Sequence, residues 1–165
     1  MSKADARLAA IGDVDEANSA LGVAARQVTE PRLQAMLARI QNELFDLGAD
    51  LATPGEDFAP GEMVLRIVQE QIDRLEREID EMNEALSPLT SFILPGGAEG
   101  AAELHLARAI ARRAERTAVA AAGAVGLNPL ALTYLNRLSD HLFVAARFAA
   151  AAGGGDILWR PGATR

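Results

Sequence analysis

Residues 31–52, PRLQAMLARIQNELFDLGADLA, carry leucine or isoleucine at positions 33, 37, 40, 44, 47 and 51. Steps of three and four return to the same side of a helix with 3.6 residues per turn, so this segment reads as an amphipathic helix with one face for a core. It opens near Pro31, and Thr53-Pro54-Gly55 ends it. Upstream, Asp13 is the expected N-cap of a first helix, with Glu16 three residues later as its capping-box partner. That helix is expected to reach about Thr29 and stop at Pro31. Downstream, a loop through Pro60 and Gly61 leads to a third stripe: Val64, Ile67 or Val68, Ile72, Leu75, Ile79, Met82 and Leu86. The charges around it, Asp73 to Glu81, suit a solvated helix face with i,i+4 pairs.

Ser87 to Gly100 breaks the pattern, with Phe92-Ile93-Leu94 set before Pro95-Gly96-Gly97. A fourth helix is expected from about Glu99 to Ala122. Asn128 as cap and Pro129 at N1 open a fifth, to about Ala152. Gly153-Gly154-Gly155 then begins an irregular tail that holds the only tryptophan, Trp159. The expectation is an all-α, five-helix up-and-down bundle: one domain over 1–165, with an irregular tail from about 153.

Half the chain is hydrophobic but only 4% is aromatic, a balance that favours helices packed through small side chains. A net charge of −7 argues against nonspecific nucleic-acid binding, while leaving room for a local anion site. The absence of cysteine excludes disulfides, a thiolate nucleophile and Cys-ligated zinc. MSKADARLAA does not have the form of a signal peptide, and Phe143 to Gly155, interrupted by Arg147, is too short to span a bilayer. The expected setting is cytoplasmic, with no membrane partner.

The most unusual segment is AELHLARAIARRAERTA in the fourth helix. Arg108, Arg112 and Glu115 or Arg116 share one face, with Arg113 to one side. Arginine forks suit phosphate, because they bond oxyanions bidentately and stay charged. The same spacing also suits a surface ion-pair network, and spacing alone does not choose. In the fifth helix Asn136, Asp140 and Phe143 share a face, with Arg147 a turn further on; Asn136 fits either a satisfied amide or a ligand contact. His105 and His141 sit beside apolar neighbours and read as packing or supporting groups. No Glu-x-x-His pairs for a di-iron site are present, nor a GxxxxGK[ST] loop, nor a GxGxxG after a strand.

Four blocks in order resemble the PduO-type ATP:cob(I)alamin adenosyltransferases: SKADAR with GDVDEANSALG, IQNELFDLGADLATP, SFILPGG followed by ELHLARAIARRAER, and YLNRLSDHLFVAARFAA. They span nearly the whole chain. The resemblance implies a trimeric bundle that binds ATP between neighbouring subunits, with cobalamin beside it as co-substrate and Mg2+ accompanying the nucleotide; it names no metal ligand. It implies ATP contacts from Lys3, from the segment Arg112, Arg113, Glu115 and Arg116, and from Asn136. It pairs Arg108 with Asp15 across the subunit interface and sets Phe92 against the lower face of the corrin. The implied product is adenosylcobalamin, with triphosphate leaving; a reductase and an adenosylcobalamin-dependent client enzyme are the implied protein partners. A non-catalytic cobalamin carrier of the same fold is the alternative, and a purely structural helical oligomer is a third reading. Two features depart from the family pattern. The Thr- and Gly-rich TKTGD-type segment that precedes the SKADAR block in the family is not in this sequence; either it was lost or it lies upstream of Met1, and the second is expected. Asp13 stands where the family more often has an uncharged residue such as threonine.

Overall fold

A seam of small residues organises the molecule. On one helix Ala10, Val14, Ala17, Leu21 and Ala24 are buried; on another, Leu104, Ala107, Ala111, Ala114, Ala118 and Ala121. Both sets alternate steps of three and four, the repeat that keeps a seam facing its partner, and alanine lets the two backbones approach closely. In the computed structural model, which describes Ser2 and residues 4–165, these are α1 (Ala6–Gln27) and α4 (Ala101–Ala122). The others are α2 (Pro31–Ala52), α3 (Gln69–Glu84) and α5 (Pro129–Ala151). No strand is formed among the described residues, only two isolated antiparallel bridges, Gly61 with Val64 and Ile93 with Leu158.

The central helix α4 packs between α1 and α5, while α2 lies on α1 and α3 on α5. Side-chain pairs give the directions. Arg113 meets Glu16 while Gly100 lies against Val28, so α1 and α4 run antiparallel. Glu115 meets Asn136 and His105 meets Phe143, so α4 and α5 are antiparallel too. Gly100 caps α4 with φ +84, and a Cβ there would sit 2.9 Å from Val28 Cγ2, so glycine is required on both counts.

Two helix starts differ from the sequence reading. The N-cap of α1 is Asp5, whose Oδ1 accepts from Arg7 N at 2.9 Å. Asp13 therefore lies inside the helix and does not cap it; the buried seam already begins at Ala10, and that requires an earlier start. Asp13 is occupied across the seam instead, accepting from Thr117 Oγ1 at 2.6 Å and lying 3.7 Å from Arg113 Nε. This gives its charge a local role. Helix α3 begins at Gln69, so Val64 to Val68 are not its first turn. Buried Asp50 takes that segment's polar groups, accepting from Ile67 N at 2.8 Å and pairing with Arg66 at 2.7 Å. Asn128 Nδ2 donates to Asp50 Oδ2 at 2.7 Å and to Ile67 O at 3.1 Å, while its own Oδ1 caps α5. An extended segment whose donors and acceptors are met in this way has no reason to coil.

Candidate active site

The arginines of α4 are not equivalent. Arg113 turns toward α1, where it pairs with Glu16 and lies beside Asp13, and these carboxylates raise its pKa. Arg108, Arg112 and Arg116 have no ion-pair partner among the described residues; Arg116 Nη1 donates only to the Arg112 carbonyl, at 3.1 Å. Arg108 is half-buried. Its guanidinium lies 5.9 Å from the centroid of the Phe143 ring, and its buried Nε has no acceptor. Burial, and then the charge of Arg112, lower its pKa, although an arginine still stays protonated. His105 packs edge-on against the same Phe143 at 6.1 Å. Burial, reinforced by the Arg108 charge and opposed by Asp156, holds its pKa below the usual value and favours the neutral ring.

One turn along, Asn136 of α5 is exposed and donates to Glu115 Oε1 at 2.8 Å. Arg137 donates to Asn136 Oδ1 at 2.7 Å and pairs with Asp140 at 2.5 Å and with Glu76 at 3.3 Å. The structure thus gathers Arg112, Glu115, Arg116 and Asn136 into one solvent-facing patch across α4 and α5. It adds Arg137, which sequence reasoning missed; the arginine next to Asn136 in YLNRLSD was the available signal. Lys3 lies outside the described residues.

Phe92 projects from the α3–α4 connection and is 78% exposed, so it does not plug the bundle end. With Leu89, Thr90, Ser91, Ile93, Arg108, Phe143, Trp159 and Pro161 it lines an open cleft of about 710 Å³. Phe92 and Arg108, 16 residues apart in sequence, therefore belong to one recess. Trp159, which comes from the tail and touches Phe92 edge-on at 6.0 Å, was not anticipated.

Asp15 is not brought to Arg108 within the chain. It is exposed on α1 in an apolar groove shared with Ile11, Asn18, Leu44 and Phe45, the last 73% exposed. Asp15 has no ion-pair partner among the described residues. Nor do the described residues hold a group of three His, Cys, Asp or Glu side chains able to bind a metal. Among the described residues, no helix is long and apolar enough to cross a membrane.

Residues 1–149 match the family model for cobalamin adenosyltransferase. A corrinoid adenosyltransferase of Mycobacterium leprae (strain TN) is 50% identical over 98% of this chain and 86% of its own length. Corrinoid adenosyltransferase PduO of Salmonella typhimurium is 41% identical over 89% of this chain and 43% of its own. Among solved structures, a phenylalanine-to-alanine variant of a PduO-type ATP:corrinoid adenosyltransferase from Lactobacillus reuteri, complexed with cobalamin and ATP, superposes with a TM-score of 0.87 at 39% identity, covering 97% of this chain and 89% of that one. An arginine-to-lysine variant from the same organism, complexed with ATP, gives the same TM-score, 0.87. By sequence over nearly its whole length, and by fold, the chain belongs to the cobalamin adenosyltransferase family, as one of the PduO-type ATP:corrinoid adenosyltransferases.

Proposed function

We propose that the chain transfers the 5′-deoxyadenosyl group of ATP to cob(I)alamin, at a site completed between subunits of a homotrimer. The observation that carries this reading is the uncompensated arginine face of α4, lying between an exposed amide–carboxylate pair and an aromatic recess. Arg112, and Arg116 apart from its one bond to the Arg112 carbonyl, keep donors free for the triphosphate. The Glu115–Asn136 hydrogen bond presents a fixed acceptor and donor for the nucleotide beside them. Arg113 is turned away to α1, and Lys3 supplies a further positive charge.

In the reaction, cob(I) attacks C5′; the Co–C bond forms, the C5′–O bond breaks, and triphosphate leaves with the bonding electron pair. The nucleophile belongs to the corrinoid, so the protein needs no general base. Its task is to align the two reactants and to stabilise the departing polyanion. The chain gathers no metal cage of its own. A magnesium ion would be carried by the triphosphate, where Glu115 is the acidic side chain within the arginine face and the ion would supply charge neutralisation.

Phe92 covers the lower face of the corrin, excluding water and the lower axial ligand so that cobalt becomes four-coordinate and cob(II) easier to reduce. Electrons come from a separate reductase, the product passes to a client enzyme, and the setting is the cytoplasm. Asp15, beside exposed Phe45, supports the assembly: an unpaired carboxylate in an apolar groove suits Arg108 of a neighbouring subunit. Light scattering should report three chains per particle.

The test of function is spectroscopic. Reduced cobalamin and Mg-ATP are added, and the visible spectrum is followed. Conversion to adenosylcobalamin is expected, and binding without conversion would leave a carrier.

A further inference from the structure

The segment that carries Phe92 has almost no hold of its own. Among the described residues, the long-range backbone hydrogen bonds of residues 88–95 all go to one place, the C-terminal tail. Leu94 N donates to Ile157 O at 2.7 Å, and Trp159 N donates to Phe92 O at 2.9 Å, forming the antiparallel Ile93–Leu158 bridge. Ser91 Oγ adds a bond to Trp159 O at 3.2 Å. The indole of Trp159 then meets the Phe92 ring edge-on, a favoured aromatic geometry.

The tail is itself anchored. Gly154 and Gly155, with φ of +104 and +90, reverse the chain after α5, and Gly155 N returns to Ala150 O at 2.8 Å. Arg147 of α5, 8% exposed, fastens both arms of the pair: its Nε donates to Asp156 Oδ2 at 2.9 Å and its Nη2 to Ser87 O at 2.8 Å. One charge-assisted clasp therefore holds the tail and the start of the Phe92 segment to the same helix.

We propose that Trp159, Asp156 and Arg147 are positioning residues for Phe92, and that the tail sets where its ring stands in the corrinoid recess. A phenylalanine this exposed, on a segment rich in glycine and proline, would otherwise sample many orientations, and ordering them would weigh on each encounter with substrate. The tail removes that freedom beforehand. This inference rests on the reading of Phe92 as the residue under the corrin.

The experiment uses the full chain with cob(II)alamin and Mg-ATP, and reads the fraction of four-coordinate cobalt from the paramagnetic resonance and visible spectra. ATP affinity is measured in parallel by calorimetry. Trp159→Ala should lower the four-coordinate fraction at least about threefold while ATP affinity stays within about twofold; Trp159→Phe, which keeps an aromatic edge, should recover more than half of the loss. Because Trp159 is the only tryptophan, its fluorescence reports the tail directly. Asp156→Ala should make it more accessible to acrylamide and lower the four-coordinate fraction together. Phe92→Ala separates the two readings. If it abolishes the four-coordinate signal while Trp159→Ala leaves that signal intact, the tail does not position Phe92. If Phe92→Ala leaves the signal unchanged, the reading of Phe92 fails and the inference falls with it. Loss of ATP affinity or of the folded state in Trp159→Ala would assign the tail a general structural role and overturn the proposal.

Discussion

The side of the bundle where α2, α3 and α5 meet and the outer face of α4 are built from the same residue types for opposite ends. On the first, almost every charge is answered within the chain. Glu43 accepts from the buried Tyr134 hydroxyl at 2.7 Å and lies 3.2 Å from Arg74; Glu78 accepts from Arg39 at 2.8 Å and meets His141 at 2.9 Å. Burial, then the charge of Glu43, push the Tyr134 hydroxyl well above its ordinary pKa, so it remains a donor. Deeper still, Asp50 and Arg66 close a network with Asn128. On α4, by contrast, Arg108, Arg112 and Arg116 face a recess or solvent with no carboxylate paired to them among the described residues. Density of charge does not separate structure from function here; whether the charge is already satisfied does.

The largest expected effect lies on the satisfied side. Asp50 is 1% exposed and answers three donors. Asp50→Ala would strand the buried Arg66 guanidinium and free the extended segment before α3, at a cost of about 3–5 kcal/mol in urea unfolding. A loss under about 1 kcal/mol would mean that water replaces the carboxylate easily and that the contrast with α4 is false.

Acid should expose the second network. Burial alone would raise the Glu78 pKa, but hydrogen bonds from His141 and Arg39, with their charges, overcome it and bring it down to about 2 from 4.5. Its folded value is the lower one, so between these values the unfolded chain binds the extra proton. Its contribution is complete above pH 4.5 and is lost as pH falls toward 2. The amount is on the order of 3 kcal/mol. Glu78→Gln should flatten the stability curve over that acid window, and an unchanged slope would remove Glu78 as its source.

Much of this architecture was legible in the sequence, for local reasons. Pro31 and Pro129 mark the starts of α2 and α5, and Asn128 caps as its residue type suggests, because caps are made within a few residues. Asp13 and Glu16 misled because their three-residue spacing suits a capping box as well as a carboxylate pair turned to another helix. Val64 and Ile67 kept helical spacing, but spacing cannot register that Asp50 will seize the chain. At the site, Arg112, Glu115, Arg116 and Asn136 fall together because one helix face carries the first three. Trp159 beside Phe92 was hidden: 67 residues separate them, and only the fold of the tail closes that distance.

On the unsatisfied side, Arg112→Ala should leave the unfolding midpoint unchanged, since no folded-state partner is lost. ATP binding should weaken by about 1.5–3 kcal/mol, the range for a hydrogen bond to a charged group. That is roughly ten- to hundredfold in calorimetric affinity. Wild-type affinity would return Arg112 to the surface.

Arg113 sharpens the comparison, because it sits next to Arg112 in sequence yet belongs by its contacts to the satisfied class. The pair with Glu16 is exposed on both sides, and such pairs are worth little in water. Its fork is also already turned to α1, where Asp13 competes for it. Arg113→Ala should therefore change ATP affinity by less than about threefold, and stability hardly at all. The double variant Arg112→Ala with Arg113→Ala should bind ATP as Arg112→Ala alone does, since only one of the two forks is free for phosphate. If Arg113→Ala instead weakens ATP as much as Arg112→Ala, the guanidinium must leave Glu16 when nucleotide arrives, and prior satisfaction would no longer mark a side chain as structural. Calorimetry on the two single variants, at one salt concentration because exposed charges are screened, decides between these outcomes.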